Sequence, residues 1–498
     1  MLSIFMTIIK KNSFPTFLVF LFIVSLSILF TLSGCSPNQG QENQGAIPEE
    51  TDNPPDQIEF EDEDQLLDDT FRIDIQTITV TFDYVPEEYY IDSYAVIKFI
   101  MRPGQTRAVI HLDSATYGTV INSIRLNDES LNISDTADVR LVDFEGTTQD
   151  GLEFQRDLEE NREHTLEMSY RLTLQRQYFG FFSDVGDIGG RGNEEVFPTI
   201  NTPHELARHY LTFRVHFDRN FRFIGSGLVQ KQDSPGVQQW TLDTEQEVSS
   251  YTVMFVLLPA EDTQYVERNI AGVDVRIMAY NGGASIDTAF KFLEDWLPEL
   301  TTNLGPFPMP RGLSIFLTTG NHGMEYYGGT ITALFPLKHE VFHMYYGCST
   351  INKTYRDSWL DEAVNRWYQF SSEPGYTPID ESYRSNIVSG RSPVAVGFDL
   401  RAYDEGAHII QAVAEELGSR DEMIRFLSYL HRNYSFSPFT TMEFLDYLQD
   451  YSGVDMKDRF LNWLYSDEQT AGSVKSSDHY RMHKIDMTPP HQIQTDAK

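Results

Sequence analysis

From Phe71 to about Ala260, hydrophobic and polar residues alternate along the chain. Phe71-Arg-Ile-Asp-Ile and Ile78-Thr-Val-Thr-Phe-Asp do so, as do Arg107-Ala-Val-Ile-His-Leu, Leu211-Thr-Phe-Arg-Val-His-Phe and Tyr251-Thr-Val-Met-Phe-Val. Residues two apart share one face of a strand, so these runs predict half-buried strands. Turn-forming stretches such as Arg102-Pro-Gly-Gln separate them. The pattern predicts an antiparallel β-sandwich domain over residues 70–262.

After Val273-Asp-Val-Arg-Ile the period changes. Ile286, Ala289, Phe290, Leu293 and Leu297 are spaced for one face of a helix, with Ser285 placed as its N-cap. Leu313-Ser-Ile-Phe-Leu predicts a short strand, and beyond residue 337 the pattern is mostly helical. Thr440-Thr-Met-Glu443 has the form of a capping box, and Met456, Phe460, Trp463 and Leu464 form another apolar face. The expected class is therefore α+β and multidomain, with a mostly helical second domain over residues 263–466 and a polar tail over 467–498.

The N-terminal segment has a different character. Lys10 and Lys11 precede an apolar run from Phe17 to Leu32, which ends in Leu32-Ser33-Gly34-Cys35. This arrangement resembles a bacterial lipoprotein signal, with residues 1–34 as signal peptide and Cys35 as the lipidated first residue of the mature chain. An uncleaved membrane-spanning helix is the alternative, and either places the remainder outside the cytoplasm. Residues 35–69 are rich in Gln, Asn, Pro and Gly and then acidic, the composition of a flexible tether. Cys35 and Cys348 are the only cysteines, so a lipidated Cys35 leaves no intramolecular disulfide. A net charge of −36 argues against nucleic acid or anionic lipid surfaces as partners, and no segment marks an obligate protein partner.

The chemistry centres on His339-Glu340-Val341-Phe342-His343. Two histidines four apart on a helix project from one face, so both imidazoles can reach one Zn²⁺, with the intervening glutamate beside the open position as general base. Five residues alone can also be an accidental pair of core histidines. A third ligand in the right place weighs against that: Glu362 follows after 18 intervening residues, within Trp359-Leu-Asp-Glu-Ala-Val-Asn-Arg-Trp-Tyr. Two imidazoles, one carboxylate and water make the open site of a catalytic zinc, one ion per chain.

These residues resemble the gluzincin pattern of the aminopeptidase N family of zinc metallopeptidases, which includes leukotriene hydrolase. Gly323-Met324-Glu325-Tyr326 is similar to that family's Gly-Ala-Met-Glu-Asn exopeptidase motif. Tyr403-Asp-Glu-Gly-Ala resembles its Tyr-x-Lys-Gly stretch, and Phe197-Pro-Thr-Ile-Asn-Thr-Pro a segment of its N-terminal β domain. The resemblance runs from about Phe71 to about Trp463 and implies a thermolysin-like catalytic domain. It implies that His339, His343 and Glu362 hold zinc, Glu340 is the general base, Tyr403 donates to the tetrahedral oxyanion, and Glu325, with Gly323 and Met324, binds the substrate's free α-amino end. Peptides are the implied substrates.

The sequence also departs from that pattern. Tyr326 stands where the motif has asparagine, Met344-Tyr-Tyr-Gly-Cys348 follows the second histidine, and Asp361-Glu362-Ala363 replaces the usual Asn-Glu-Gly. No counterpart of the family's large helical C-terminal domain is recognised. These differences leave hydrolysis expected but bear on peptide length and exopeptidase character, so a zinc endopeptidase or oligopeptidase is the second reading. A metal-free lipoprotein that uses the scaffold only for binding is the third. His322 and His408 are secondary candidates for substrate and for outer-sphere contacts, each weighed against ordinary packing. Cys348 reads as a small buried side chain, and Tyr178, Phe179, Phe181 and Phe182 read as core.

Overall fold

The computed structural model describes residues 73–464, apart from 113–117, 134–137, 144–149, 175–180, 183–192, 194–195, 201, 218, 355–356, 371–378, 380–386 and 388–400. Cys35, the expected signal and tether, and the 467–498 tail lie outside the described residues. So do Phe71, Tyr178 and Phe179, and of Phe181 and Phe182 only the backbone is described.

The described part of the first alternating run and the whole of the second belong to one strand, Ile73–Val85. Ile73 and Ile75 are buried at odd positions, and Ile78, Val80, Phe82 and Tyr84 at even ones. A phase change of this kind needs an extra residue, and the register against Tyr90–Met101 shifts between Ile75 and Thr77, as a β-bulge requires. The large sheet runs in the order Leu228–Lys231, Gln238–Asp243, Leu206–Val215, Ile73–Val85, Tyr90–Met101, Glu163–Thr173, Val120–Leu126, Glu129–Leu131. Its pairs are antiparallel except one: Ile73–Val85 runs parallel to Leu206–Val215.

A smaller sheet of Phe221–Gly225, Phe255–Pro259 and Phe181–Phe182 packs against it. Phe213 of the large sheet meets Phe223 and Phe255 of the small one, each with ring centroids 4.9 Å apart, and stacks on Phe82 at 5.1 Å. These interleaved aromatics are the apolar layer of a sandwich.

The second half is built on a five-stranded sheet in the order Thr263–Ile270, Val273–Tyr280, Leu313–Leu317, Gly329–Thr332, Gly323–Tyr326. Its central pairs are parallel and its edge pairs antiparallel. The crossover between Val273–Tyr280 and Leu313–Leu317 is helix α1, Ile286–Asn303, which buries all five apolar residues of the expected face. Ser285 caps it, accepting from Thr288 N at 3.2 Å. Six further helices follow among the described residues: α2 (Leu337–Phe342), α3 (Trp359–Phe370), α4 (Arg401–Glu416), α5 (Arg420–Tyr434), α6 (Thr441–Ser452) and α7 (Lys457–Leu464). The capping box at Thr440 and Glu443 is formed at the start of α6. Met456, Phe460, Trp463 and Leu464 are all buried.

Helices α3 and α4 pack at close range. Gly406 on α4 faces Ala363 on α3, and a Cβ on Gly406 would lie 2.6 Å from the alanine methyl. The start of α3 is fixed by Asp357, which accepts from Thr441 N and Thr441 Oγ1, both at 2.7 Å. Trp359 Nε1 adds a bond to Thr441 Oγ1 at 3.1 Å.

Candidate active site

The two histidines straddle the end of a short helix. His339 lies within α2, and His343 is its C-cap, still with helical backbone angles (φ −57°, ψ −20°). Their Nε2 atoms lie 3.0 Å apart. Glu362, in the first turn of α3, places Oε2 at 3.0 Å from His339 Nε2 and 3.5 Å from His343 Nε2. Ligand atoms about 2.0–2.1 Å from a tetrahedral zinc are separated by about 3.3 Å. The three measured separations bracket that value, so the donor set fits zinc.

Electrostatics point the same way. Asp361, Glu340 and Glu362 are buried, and Glu325 is half-buried beside them. The charges acting most strongly on these four carboxylates come from one another and from the two imidazoles, none from Lys or Arg. So much buried negative charge is costly unless a cation sits within it, and a divalent ion suits the cluster.

Glu340, between the histidines, has its Oε2 buried without a hydrogen-bond partner among the described residues. Burial, then the adjacent Glu325, pushes its carboxyl well above the usual range. A carboxylate with an unused oxygen at a metal can accept a proton from water. Gly323 leaves room for it, because a Cβ there would overlap the Glu340 carboxylate. Glu325 and Met324 lie on the edge strand, which among the described residues pairs with Gly329–Thr332 alone. Glu325 shares a cluster with Glu340 and His343 in which one ligand atom from each lies within 4.8 Å of the others. Its carboxyl is raised by burial and by Glu362, against the pull of His343.

Tyr403, in the first turn of α4, donates its hydroxyl to Glu362 Oε1 at 2.9 Å, and its ring lies 5.8 Å from that of His339. Burial and then the Glu362 carboxylate hold its phenol well above its ordinary range, so it is a proton-bearing donor at any working pH. The structure thus assembles His339, His343, Glu362, Glu340, Glu325, Gly323 and Tyr403 in one place. His322 begins the edge strand region, half-buried, and its carbonyl accepts from Ala333 N. His408 is half-buried on α4, and Cys348 is fully buried, its thiol raised by burial.

Two residues escaped the sequence reading. Asp361 Oδ1 lies 2.6 Å from His343 Nδ1, on the side of the ring away from the donor triangle. Asn365, one turn further along α3, donates to Asp361 Oδ1 and to the Tyr346 carbonyl, each at 2.9 Å. Burial alone would lower the His343 pKa, but Asp361, Glu325 and Glu362 outweigh it and hold the imidazole well above its usual range. The one signal in the sequence was that Asp361 stands where the resembling motif has asparagine.

No family model matches the chain. It is 22% identical over 421 residues to Aminopeptidase M1-B of Oryza sativa subsp. japonica, covering 72% of this chain and 47% of that protein. It is 23% identical over 333 residues to Aminopeptidase Q of Acinonyx jubatus, covering 54% of this chain and 33% of the relative. The chain thus spans less than half the length of these curated relatives. Among solved structures it is similar to an M1 zinc metallopeptidase of Deinococcus radiodurans, as a mutant bound to a Tyr-Ser-Ala substrate. The TM-score is 0.60 at 17% identity, over 79% of this chain and 94% of that one. Aminopeptidase A of Legionella pneumophila, in complex with aspartic acid, matches with a TM-score of 0.64 at 15% identity, over 79% of this chain and 49% of that one. The chain therefore shares the fold of these two peptidases, with a β domain followed by a mostly helical one.

Proposed function

We propose that the protein is a zinc aminopeptidase that removes residues from the N-terminus of peptides outside the cytoplasm. The observation that carries this is the convergence of His339 Nε2, His343 Nε2 and Glu362 Oε2 beside Glu340 and Glu325. Aminopeptidase is also the name borne by both curated relatives.

Held by His339, His343 and Glu362, zinc would supply Lewis-acid polarisation of the scissile carbonyl and make water more acidic. Glu340 takes the proton from the attacking water as the new C–O bond forms. Tyr403 donates to the oxygen that gains charge at the tetrahedral stage, a donor needing no ionisation. As the C–N bond breaks, Glu340 passes its proton to the departing amine, which leaves the carboxyl ready for another cycle. Glu325 pairs with the terminal ammonium and so fixes which peptide bond reaches the water.

Metal analysis of the purified protein, with hydrolysis of a free-amine peptide compared with its N-acetylated form, tests the reading. About one zinc per chain, loss of hydrolysis on chelation and poor cleavage of the blocked peptide are expected. Equal cleavage of both peptides replaces the aminopeptidase with an endopeptidase, and a protein that binds no zinc ends the reading.

Export and lipidation at Cys35 form a second part of the proposal, supported by the apolar run and Leu32-Ser33-Gly34-Cys35. The mature chain is then held at a bacterial membrane surface. Mass spectrometry should find Cys35 as a diacylated N-terminus, whereas a retained apolar run means a membrane-spanning anchor.

A further inference from the structure

We propose that Asp361 is a positioning residue which fixes the His343 imidazole toward the metal and sets how tightly the site holds zinc. This rests on the zinc reading above. The geometry is that of a carboxylate–histidine–metal relay. His343 Nδ1 lies 2.6 Å from Asp361 Oδ1, 2.9 Å from the Tyr346 carbonyl and 2.5 Å from Asn365 Nδ2; with two acceptors, one of them a carboxylate, against one amide, the surroundings favour a proton on Nδ1. With Nδ1 protonated, the free lone pair is on Nε2, the atom that faces His339 Nε2 and Glu362 Oε2.

Asp361 does not itself join the metal-binding triangle, which consists of His339, His343 and Glu362. Successive residues on a helix point about 100° apart. With Glu362 turned to the metal, its predecessor on α3 is therefore turned to the rear of the same imidazole. The surroundings hold the contact in place. Asn365, four residues on and so on the same side of α3, donates to Asp361 Oδ1 at 2.9 Å. Gly347, at φ +122°, clears the remaining side: a Cβ there would lie 2.8 Å from His343 Nδ1 and 3.0 Å from both Asp361 oxygens. A bare structural ion pair would need neither the aim of Nε2 at the triangle nor this clearance.

A carboxylate in this position makes the imidazole a stronger donor than the amide of the resembling Asn-Glu-Gly motif would. The charge passes through the ring to the metal, while an asparagine offers shape and a neutral acceptor only. Asp361→Asn is thus the informative change, being nearly isosteric.

The test is zinc affinity, measured by competition with a chromophoric chelator on wild type and Asp361→Asn. The variant is expected to bind about 10–100-fold more weakly, the usual effect of removing such a partner. Its unfolding midpoint without metal should stay close to that of wild type. A wild type that binds zinc and an Asp361→Asn protein within twofold of it overturn the proposal. A wild type that binds none overturns the zinc reading instead. Should the variant fail to fold, nitrogen-15 spectra of zinc-loaded wild type decide. His343 is expected to be protonated at Nδ1 with a slowly exchanging proton, and an Nε2–H tautomer overturns the proposal.

Discussion

The Tyr403 hydroxyl donates to Glu362 Oε1 at 2.9 Å, while Oε2 of the same carboxylate lies 3.0 Å from His339 Nε2. The residue expected to serve the oxyanion is thus also tied to the carboxylate expected to hold the metal. Gly406, on the same turn of α4, lets this happen by bringing α4 onto Ala363 of α3. Two roles for one hydroxyl can be separated. Tyr403→Phe removes only that group, and an oxyanion donor lost from a hydrolase lowers kcat by roughly 10²–10³ with little change in KM. We expect that result with one zinc retained per chain. Loss of zinc with a normal kcat on reconstitution would instead make Tyr403 chiefly a support for Glu362.

Glu340 and Gly323 make a second pair. Glu340→Gln keeps the shape beside the metal but cannot accept a proton, so zinc content should be unchanged and turnover should fall by at least roughly 10²–10⁴. Gly323→Ala acts on the same group indirectly, since its methyl would have to displace the Glu340 carboxylate. It should lower kcat while leaving zinc bound. Single-turnover kinetics with metal analysis reads both. Full activity in Glu340→Gln removes the proton-transfer scheme.

The convergence of His339, His343 and Glu362 was legible in the sequence because its geometry is almost local. Four residues on a helix put two imidazoles together, and one carboxylate 18 intervening residues later needs only the next helix. The caps at Ser285 and Thr440 were legible for the same reason, each reaching just three residues ahead. The parallel pairing of Ile73–Val85 with Leu206–Val215 was not, because alternation reports which face is buried and not which strand lies alongside. Nor was Asp361, since its contact with His343 depends on how α3 is rotated against the end of α2. The bulge lay half visible, as the change from odd to even apolar positions between Ile75 and Ile78.

Acid should weaken the β half. Burial lowers the pKa of His111 to about 3, of His204 to about 4 and of His209 to about 3. These imidazoles stay neutral in the folded chain, whereas in the unfolded chain they take up protons below about pH 6.5. Their stabilising effect is therefore complete above that pH and is lost as pH falls toward the folded values. At pH 5 the loss is about 2 kcal/mol for each. His209 Nε2 bonds to Ser250 Oγ at 2.9 Å, a contact a glutamine amide can replace. The stability difference between wild type and His209→Gln, from denaturant unfolding at pH 7.5 and 5, should shrink by roughly that amount. A constant difference means that His209 does not titrate as its burial requires.

In the proposed aminopeptidase, Glu325 is the residue expected to decide between trimming peptides from their ends and cutting them internally. It sits on the edge strand within reach of Glu340 and His343, and its neighbour Tyr326 is buried in a separate apolar cluster with Met278 and Phe316. That burial orients the strand so that alternate residues face opposite ways, Tyr326 into the core and Glu325 toward the metal cluster. A carboxylate pairing with a terminal ammonium in a partly desolvated cleft contributes about 1.5–3 kcal/mol, or roughly 10–150-fold in kcat/KM. Glu325→Ala should lose about that factor on a free-amine peptide, with zinc content unchanged. It should barely alter the already poor cleavage of the N-acetylated peptide, because that substrate offers no charge to pair. Measuring both peptides on both proteins isolates the interaction as the ratio of the two losses. Equal losses would mean that Glu325 only shapes the pocket around Glu340, and the enzyme would then be an endopeptidase that does not read the amino terminus.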